Sequence, residues 1–370
     1  MSGKRVVVAM SGGVDSSVAA FLLQQEGYEV IGITMQIWPR PEDDTKACCS
    51  LSAVDDARRV AWSLGIKHYV LNFRDEFKAR VIDYFCSEYL LGRTPNPCIA
   101  CNRYIKFESL LQKALAYGAE YIATGHYARI EYDQTSGQFK LSTAYDRSKD
   151  QTYFLYNMNQ YQLQHTLFPL GGYLKRDVRK TAKEAGLPVA EKPESQEICF
   201  VSSGRYSQFV EEHHGGAKRT GSFRGSHGEY LGPHKGIHHY TIGQRRGLGL
   251  VLGYPVYVTR IDPETNTVWV GKEEELFQSS LIAVDVNYVS GLPPDGPVRV
   301  TAKIRSSAPR VDAVATPLGQ DKLRVDFLVP QRAITPGQAV VLYDGDAVVG
   351  GGIIDAIIDE YFRLKGKWTI

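Results

Sequence analysis

Residues 9–17 read AMSGGVDSS, and their reading decides the fold. Ahead of them runs a strand-like apolar stretch, Arg5-Val6-Val7-Val8-Ala9. Behind them Val14, Val18, Phe21 and Leu22 line one face of a helix that Gly27 stops. A strand, a glycine turn and a helix N-terminus in succession make an anion site. Gly12 and Gly13 let the backbone turn sharply and approach a ligand closely, while the first N–H groups of the helix point at a phosphate. No lysine follows the glycines, so this is not the GxxxxGK[ST] loop, and it is not GxGxxG either. Two glycines alone would suit a purely structural βα turn. Ser11, Asp15, Ser16 and Ser17 around them shift the reading to nucleotide binding.

Outward from that loop, strand patterns at 6–10, 30–35, 68–73 and 121–125 alternate with helix patterns at 53–64, 77–91 and 107–117. Gly65, Gly92 and Gly118 close those helices. The alternation predicts an α/β, doubly wound parallel sheet with helices on both faces, whose ligands gather at the carboxyl ends of the strands. The glycine loop, Met35 and the Thr124-Gly125-His126 segment all fall at such ends. A hairpin pattern, 128–132 and 139–144 around Ser136-Gly137, interrupts the rhythm. Beyond about residue 204 the chain turns rich in Gly, His and basic side chains, with short strands at 256–261 and 268–270. From 281 onward alternating strands at 298–304, 323–328 and 339–343, parted by Pro and Pro-Gly signals, read as a small β-barrel or sandwich. The expected parts are 1–204, a catalytic α/β domain; 205–280, a small central β-rich domain; and 281–370, a C-terminal β-barrel.

A length of 370 residues suits two or three domains, and 43% hydrophobic residues suffice for real cores. No apolar run approaches the ~20 residues of a membrane span. The start, MSGKRVVVAM, is too short in its apolar run for a signal peptide and continues straight into the glycine loop. A cytoplasmic location with reduced thiols is therefore expected, and no membrane partner. A net charge of +2 says little for nucleic acid, so RNA binding must rest on local patches, and DNA is not an expected partner.

The second informative stretch is 94–102, TPNPCIACN. Two prolines read as stiffening a loop that presents Cys98 and Cys101 beside the basic, aromatic run Arg103-Tyr104-Ile105-Lys106-Phe107. A lone CxxC suits a redox pair, half a zinc site or part of an iron–sulfur site. No second CxxC exists, which leaves Cys199, in SQEICFV at 195–201, as the candidate partner. Cys48 and Cys49 carry no assigned role. Cys86 lies on an apolar helix face and reads as a buried, inert thiol.

Other features favour plain readings. Six of the nine histidines lie within 213–239. His234 and His238 have the spacing of one helical turn, but Gly232, Pro233 and Gly236 argue for a loop meeting RNA phosphate or solvent, and no metal is assigned. Arg245 and Arg246 suit RNA contact and a solvated turn equally. Glu273-Glu274-Glu275 reads as a solvated helix start. Tyr153, Phe154 and Tyr156 read as core packing, although Lys149 and Gln151 nearby favour an RNA-facing turn.

The form SGG-x-DS resembles the pyrophosphate loop (PP-loop) of ATP pyrophosphatases. Further segments carry a closer likeness: GITMQIW, TPNPCIACNRYIKF, ATGHYARI, KDQTYFL, ESQEICFVSSGRY, YTIGQRRGLGL and AITPGQAVVLYDGDAVVGGG. In their order and spacing the chain resembles, essentially end to end, the tRNA-specific 2-thiouridylases. That resemblance implies an enzyme that binds ATP, with Mg²⁺, and a tRNA whose wobble uridine (tRNA Lys, Glu, Gln) is flipped into the site. The uridine C2 oxygen is adenylated and then replaced by sulfur, giving AMP and pyrophosphate. By family match Ala9, Met10, Ser11, Gly12, Gly13, Val14, Asp15, Ser16, Met35 and Gly125 would hold the nucleotide, Asp15 being a plausible Mg²⁺ contact. Asn96, Pro97 and Cys98 would face the target base, and His126, Lys149, Asp150, Gln151, Arg305, Ser306 and Gln338 would touch tRNA. Cys101 matches the nucleophile and Cys199 the persulfide carrier, with a disulfide between them able to close the cycle. A sulfur-donor protein, a cysteine desulfurase or a relay protein, is implied as a partner. One departure matters: many members carry Asp where this chain has Cys98. Cys98, Cys101 and Cys199 could then hold a [4Fe–4S] cluster, the less favoured route to the same reaction. A PP-loop amide ligase is the rival enzyme class, but Met1-Ser2 offers no N-terminal cysteine nucleophile and 370 residues leave no room for a separate glutaminase.

Overall fold

A computed structural model describes residues 3–37, 51–193, 198–201, 206–214 and 219–358. Cys48 and Cys49 lie outside the described residues. The first unit is built on the parallel strands β1 (Arg5–Ala9), β2 (Glu29–Gln36), β3 (Lys67–Asn72) and β4 (Tyr121–Ala123). Between them run α1 (Val14–Gln25), α2 (Leu51–Leu64), α3 (Arg74–Phe77), α4 (Asp83–Leu90), α5 (Pro97–Ala100) and α6 (Leu111–Ala116). Wider π-type turns, Lys78–Ile82 and Cys101–Leu110, join α3 to α4 and α5 to α6 into two longer helices.

A hairpin, β5 (Ala128–Asp133) and β6 (Gln138–Thr143), precedes α7 (Gln160–Gln164), β7 (Thr166–Leu167), α8 (Lys175–Glu184) and α9 (Tyr206–His213). The sheet order is β3-β2-β1-β4-β7, all parallel. Strand order therefore reverses between β1 and β4, and the crevice at that switch point is where open α/β sheets bind ligands. Val6, Val7 and Val8 are buried because both faces of β1 are covered, as a central parallel strand requires.

The central unit is a four-stranded sheet of β8 (Gly221–Gly225), β9 (Tyr230–His234), β10 (Tyr257–Asp262) and β11 (Thr267–Gly271). The last unit comprises β12 (Phe277–Tyr288), β13 (Val298–Lys303), β14 (Val311–Pro317), β15 (Lys322–Arg332), β16 (Ala339–Asp344) and β17 (Ala347–Ile357). These strands run in the order β12-β15-β14-β13-β16-β17, and β12 also pairs with β17, so the six close into a barrel. The expected α/β sheet, central β-rich unit and C-terminal β-barrel are all present.

The sequence did not disclose how closely the barrel joins the first unit. Ser142 of β6 pairs with Ala347 of β17, so the hairpin extends the barrel wall. Tyr153 and Tyr156, buried as expected of packing residues, share one apolar core with Ala339, Val341, Tyr343 and Val348. The Tyr153 hydroxyl donates to the Ala339 carbonyl at 2.9 Å, and Asn287 Nδ2 donates to the Tyr156 carbonyl at 2.7 Å.

Gly350-Gly351-Gly352 sits mid-strand in β17, where glycine is ordinarily disfavoured. The reason is close approach. A Cβ on Gly351 would lie 2.5 Å from the Val340 carbonyl oxygen and 2.8 Å from the Tyr156 ring. Gly351→Ala is expected to destabilise the fold by about 1–3 kcal/mol through overpacking at this seam, read as a lower thermal midpoint.

Candidate active site

The glycine loop has the shape its sequence predicts. Gly12 adopts φ +70, and a Cβ there would lie 2.2 Å from the Ala53 carbonyl oxygen, so glycine alone passes under α2. Gly13 precedes α1, whose N-terminus has no side-chain cap and presents its dipole. The Ser16 and Ser17 hydroxyls donate back to the Gly13 carbonyl at 3.2 and 2.8 Å, and Ser11 N–H donates to Ser16 Oγ at 3.2 Å. A Cβ on Gly125 would lie 2.7 Å from Ser16 N, so the end of β4 is fitted against the loop backbone.

A cavity of about 350 Å³ opens at these strand ends. The loop and strands contribute Ala9, Met10, Ser11, Asp15, Ser16, Met35 and Gly125 to its wall. Gly12, Gly13 and Val14 shape the loop without lining the cavity. The same wall carries Pro97, Cys98, Cys101 and Cys199, together with Lys106, His126 and Gln151. Nucleotide loop and thiols thus meet in one space.

The stretch 94–102, expected as a stiff loop, is instead a helix start. Asn96 is the N-cap, its Oδ1 accepting from Cys98 N–H at 3.1 Å, and Pro97 takes the first helical position, where a missing N–H costs nothing. Cys98 and Cys101 therefore sit on the first turns of the helix formed by α5, the π-type segment and α6. Asn96→Ala should cost about 1 kcal/mol by removing the cap, measured as a lower midpoint in thermal unfolding.

Cys98 is exposed, and Cys101 and Cys199 are half-buried. Cys86 is buried, and burial pushes its thiol up to about 12, which keeps it protonated and inert. Cys199 is anchored by its neighbour Phe200, which packs edge-on against Phe77 and Phe85 at 5.7 and 5.3 Å.

His126 Nδ1 lies 2.6 Å from Thr124 Oγ1, and its ring meets Phe107 and Phe168 at 5.9 Å. Burial, with Lys106 beside it, holds the imidazole well below the ordinary histidine range, so it is neutral. Gln151 is laced to Tyr127: its Oε1 accepts from Tyr127 N–H at 2.9 Å, and its own N–H donates to the Tyr127 carbonyl.

Two cations that sequence reading missed flank the loop. Lys175, at the start of α8, places Nζ 2.6 and 2.7 Å from the two oxygens of Asp15, and the Tyr127 hydroxyl donates to the same carboxylate at 2.9 Å. Lys192 Nζ donates to the Gly12 carbonyl at 2.9 Å and to Asp56 at 2.5 Å. They lie 160 and 180 residues from their loop partners, so no local motif announces them.

The remaining candidates lie off the cavity. Asn96 lines a second cavity of about 240 Å³ with Arg103 and Tyr104. Asp150 locks a turn, accepting from Ala144 N–H at 3.1 Å and the Thr152 hydroxyl at 2.7 Å, and Lys149 N–H donates to the Asp146 carbonyl. Arg305, at the end of the β13 hairpin arm, donates to the Ala333 carbonyl, and Ser306 follows it. Gln338 reaches back to the first unit: its Nε2 donates to the Thr94 carbonyl at 2.8 Å, while Thr94 N–H donates to the Pro336 carbonyl at 2.9 Å. Among the described residues no helix is long and apolar enough to cross a membrane.

Comparison with known proteins gives the same three parts. A family model described as the tRNA methyl transferase HUP domain matches residues 4–203, one described as the tRNA methyl transferase PRC-barrel domain matches 207–272, and an aminomethyltransferase β-barrel model matches 278–354. The tRNA-specific 2-thiouridylase MnmA of Acetivibrio thermocellus is 58% identical over 96% of this chain and 100% of its own length. The MnmA 2 protein of Caldanaerobacter subterraneus is 57% identical over 95% of this chain and 98% of its own. The MnmA of Clostridium perfringens is 55% identical over 97% of this chain and its own full length. Identity above one half, sustained from the glycine loop through the barrel, places this chain in the tRNA-specific 2-thiouridylase MnmA family.

Proposed function

We propose that this chain is an ATP-dependent tRNA 2-thiouridylase acting on the wobble uridine of tRNAs for lysine, glutamate and glutamine. The observation that carries the reading is the shared cavity, where a phosphate loop faces Cys98, Cys101 and Cys199. A carbonyl oxygen is a poor leaving group until it is phosphorylated, and ATP supplies that activation. The uridine C2 oxygen attacks the α-phosphorus, the bond to pyrophosphate breaks, and the base becomes an adenylate. The terminal sulfur of a Cys199 persulfide then bonds to C2 as AMP departs. The Cys101 thiolate attacks the Cys199 sulfur, 2-thiouridine leaves, and a Cys101–Cys199 disulfide remains for an external thiol reductant to open.

The loop backbone and the α1 N-terminus bind the nucleotide phosphates, with Met35 and Gly125 bordering the nucleotide and Lys175 and Lys192 adding positive charge. Asp15 holds Lys175 beside the loop through both oxygens and faces the Mg²⁺ that enters with the ATP phosphates. Asn96, Pro97 and Cys98 flank the target base. Neutral His126 and Gln151 offer hydrogen bonds to the RNA, and Lys149, Asp150, Arg305, Ser306 and Gln338 lie along its path. Division at about 204 and 280 gives one unit to the chemistry and two to tRNA positioning. Gln338 ties the third unit to the backbone beside Asn96. A sulfur-donor protein loads Cys199.

A second reading rests on Cys98, which adds a third thiol to the same wall. Cys98, Cys101 and Cys199 would then hold a [4Fe–4S] cluster that delivers the sulfur. The deciding experiment is thiolation of unmodified tRNA with ATP and a defined persulfide donor, run aerobically and anaerobically with iron assays. Iron-free enzyme that turns over supports the persulfide route. Activity that follows iron content supports the cluster, and no thiolation under either condition would sink both.

A further inference from the structure

Glu211, His238 and His239 meet at a place the chemistry above does not use. Glu211 lies on α9, and the two histidines end the 3-10 turn Ile237–His239 of the central unit. Nε2 of His239 is 2.9 Å, and Nε2 of His238 3.3 Å, from the same Glu211 oxygen, Oε1. One donor atom from each of the three lies within 4.8 Å of the other two. Neighbours on a 3-10 turn point about 120° apart, yet both imidazoles turn to one carboxylate, with ring centroids 4.4 Å apart. Gly236 makes this seat, since with φ +125 a Cβ there would lie 2.7 Å from His238 Cε1. His238 is only 1% exposed, whereas Glu211 and His239 keep an edge toward solvent. His234, the partner that sequence spacing suggested for His238, is committed elsewhere: Nε2 bonds the Asn266 carbonyl and Nδ1 accepts from Gly236 N–H.

We propose that Glu211, His238 and His239 bind one divalent transition-metal ion of the zinc class, with a water on the solvent side as fourth ligand. Two imidazoles and one carboxylate suit Zn²⁺, Co²⁺ or Ni²⁺, whereas Mg²⁺ and Ca²⁺ prefer all-oxygen sets. Bonds of about 2.0–2.2 Å imply donor–donor edges of about 3.3–3.6 Å in a tetrahedron. The spacings of 2.9 and 3.3 Å to Oε1 require only a small expansion to reach that.

The site's place in the fold gives it a role. Phe209 of α9 packs against Phe200, the residue after Cys199, at 5.2 Å, and Tyr206 stacks on Tyr89 at 4.6 Å. A metal here fastens the sheet side of the central unit to α9, its first helix, which backs the Cys199 segment. The competing use of the same atoms is a carboxylate accepting two N–H bonds, which gives no metal dependence.

Zn²⁺ and Co²⁺ are the probes, added to the full chain after chelation and gel filtration. Wild type should take up about one equivalent of Zn²⁺ more than His239→Ala. The cysteine thiols are common to both proteins, so the difference isolates this site. Co²⁺ should give tetrahedral d–d absorption that His239→Ala lacks, and chelation should lower the thermal midpoint of wild type alone. Glu211→Gln, which keeps the shape, should bind Zn²⁺ at least ~10-fold more weakly and decides the matter if His239→Ala fails to fold. Equal Zn²⁺ uptake by wild type and either variant would overturn the site, as would a cobalt spectrum made only of thiolate charge transfer.

Discussion

Cys199→Ser is expected to abolish tRNA thiolation while pyrophosphate is still released from ATP in the presence of unmodified tRNA. A serine hydroxyl cannot carry a sulfane sulfur, so the second half-reaction loses its sulfur rather than slowing. The first half-reaction depends on the glycine loop and its lysines, which act on the phosphates and need no sulfur. Thiolation should fall to background, and the pyrophosphate signal should stay near wild type for the first turnover. Wild-type thiolation by this variant would refute Cys199 as the carrier. Loss of both signals would mean that Cys199 also shapes the nucleotide site. Cys98→Asp separates the two sulfur routes in the same assay. It restores the residue many family members carry, so a persulfide mechanism predicts retained turnover. A cluster on three thiols predicts loss of bound iron and of activity together.

The first unit was legible in the sequence because its strands are buried on both faces and its helices end in glycines. Strand patterns at 6–10, 30–35 and 68–73 met β1, β2 and β3 within a residue or two at each end. The start of the helix at 97–116 is harder to see, because Pro95-Asn96-Pro97 reads as a rigid loop even though Asn before Pro is the signature of an N-cap followed by the first helical residue. Strands β12 and β17 were hidden for another reason. Both carry register shifts, and β17 holds three glycines whose purpose appears only when Tyr156 and β12 pack against them. Lys175 and Lys192 reach the loop across the fold, and Glu211 reaches two histidines 27 and 28 residues further along the chain. Chemistry assembled from distant residues leaves no spacing to read.

Lys175→Met is expected to cut ATP-dependent pyrophosphate release by roughly 10²–10³-fold, the scale for losing one preorganised donor to developing negative charge. The case rests on placement. Nζ sits between both oxygens of Asp15, the Tyr127 hydroxyl bonds the same carboxylate, and the ammonium lies 5.5 Å over the Tyr127 ring. Its side chain is 11% exposed, so water does little of the screening that weakens surface charges. Negative charge grows on the departing pyrophosphate in the transition state. A cation held beside the loop stabilises that charge more than it stabilises bound ATP. The loss should therefore fall on kcat more than on KM for ATP.

Removing Lys175 alone also strands the Asp15 carboxylate, so a fall in activity could reflect a distorted loop. The double variant Asp15→Asn/Lys175→Met tests this, because it removes the lone charge and leaves neutral side chains of similar shape. A thermal midpoint restored toward wild type, with pyrophosphate release still low, assigns the loss to the missing cation. Activity restored together with stability would show that Lys175 serves only to neutralise Asp15, and the charge at the phosphates would then fall to Lys192, which is bonded to the Gly12 carbonyl and Asp56.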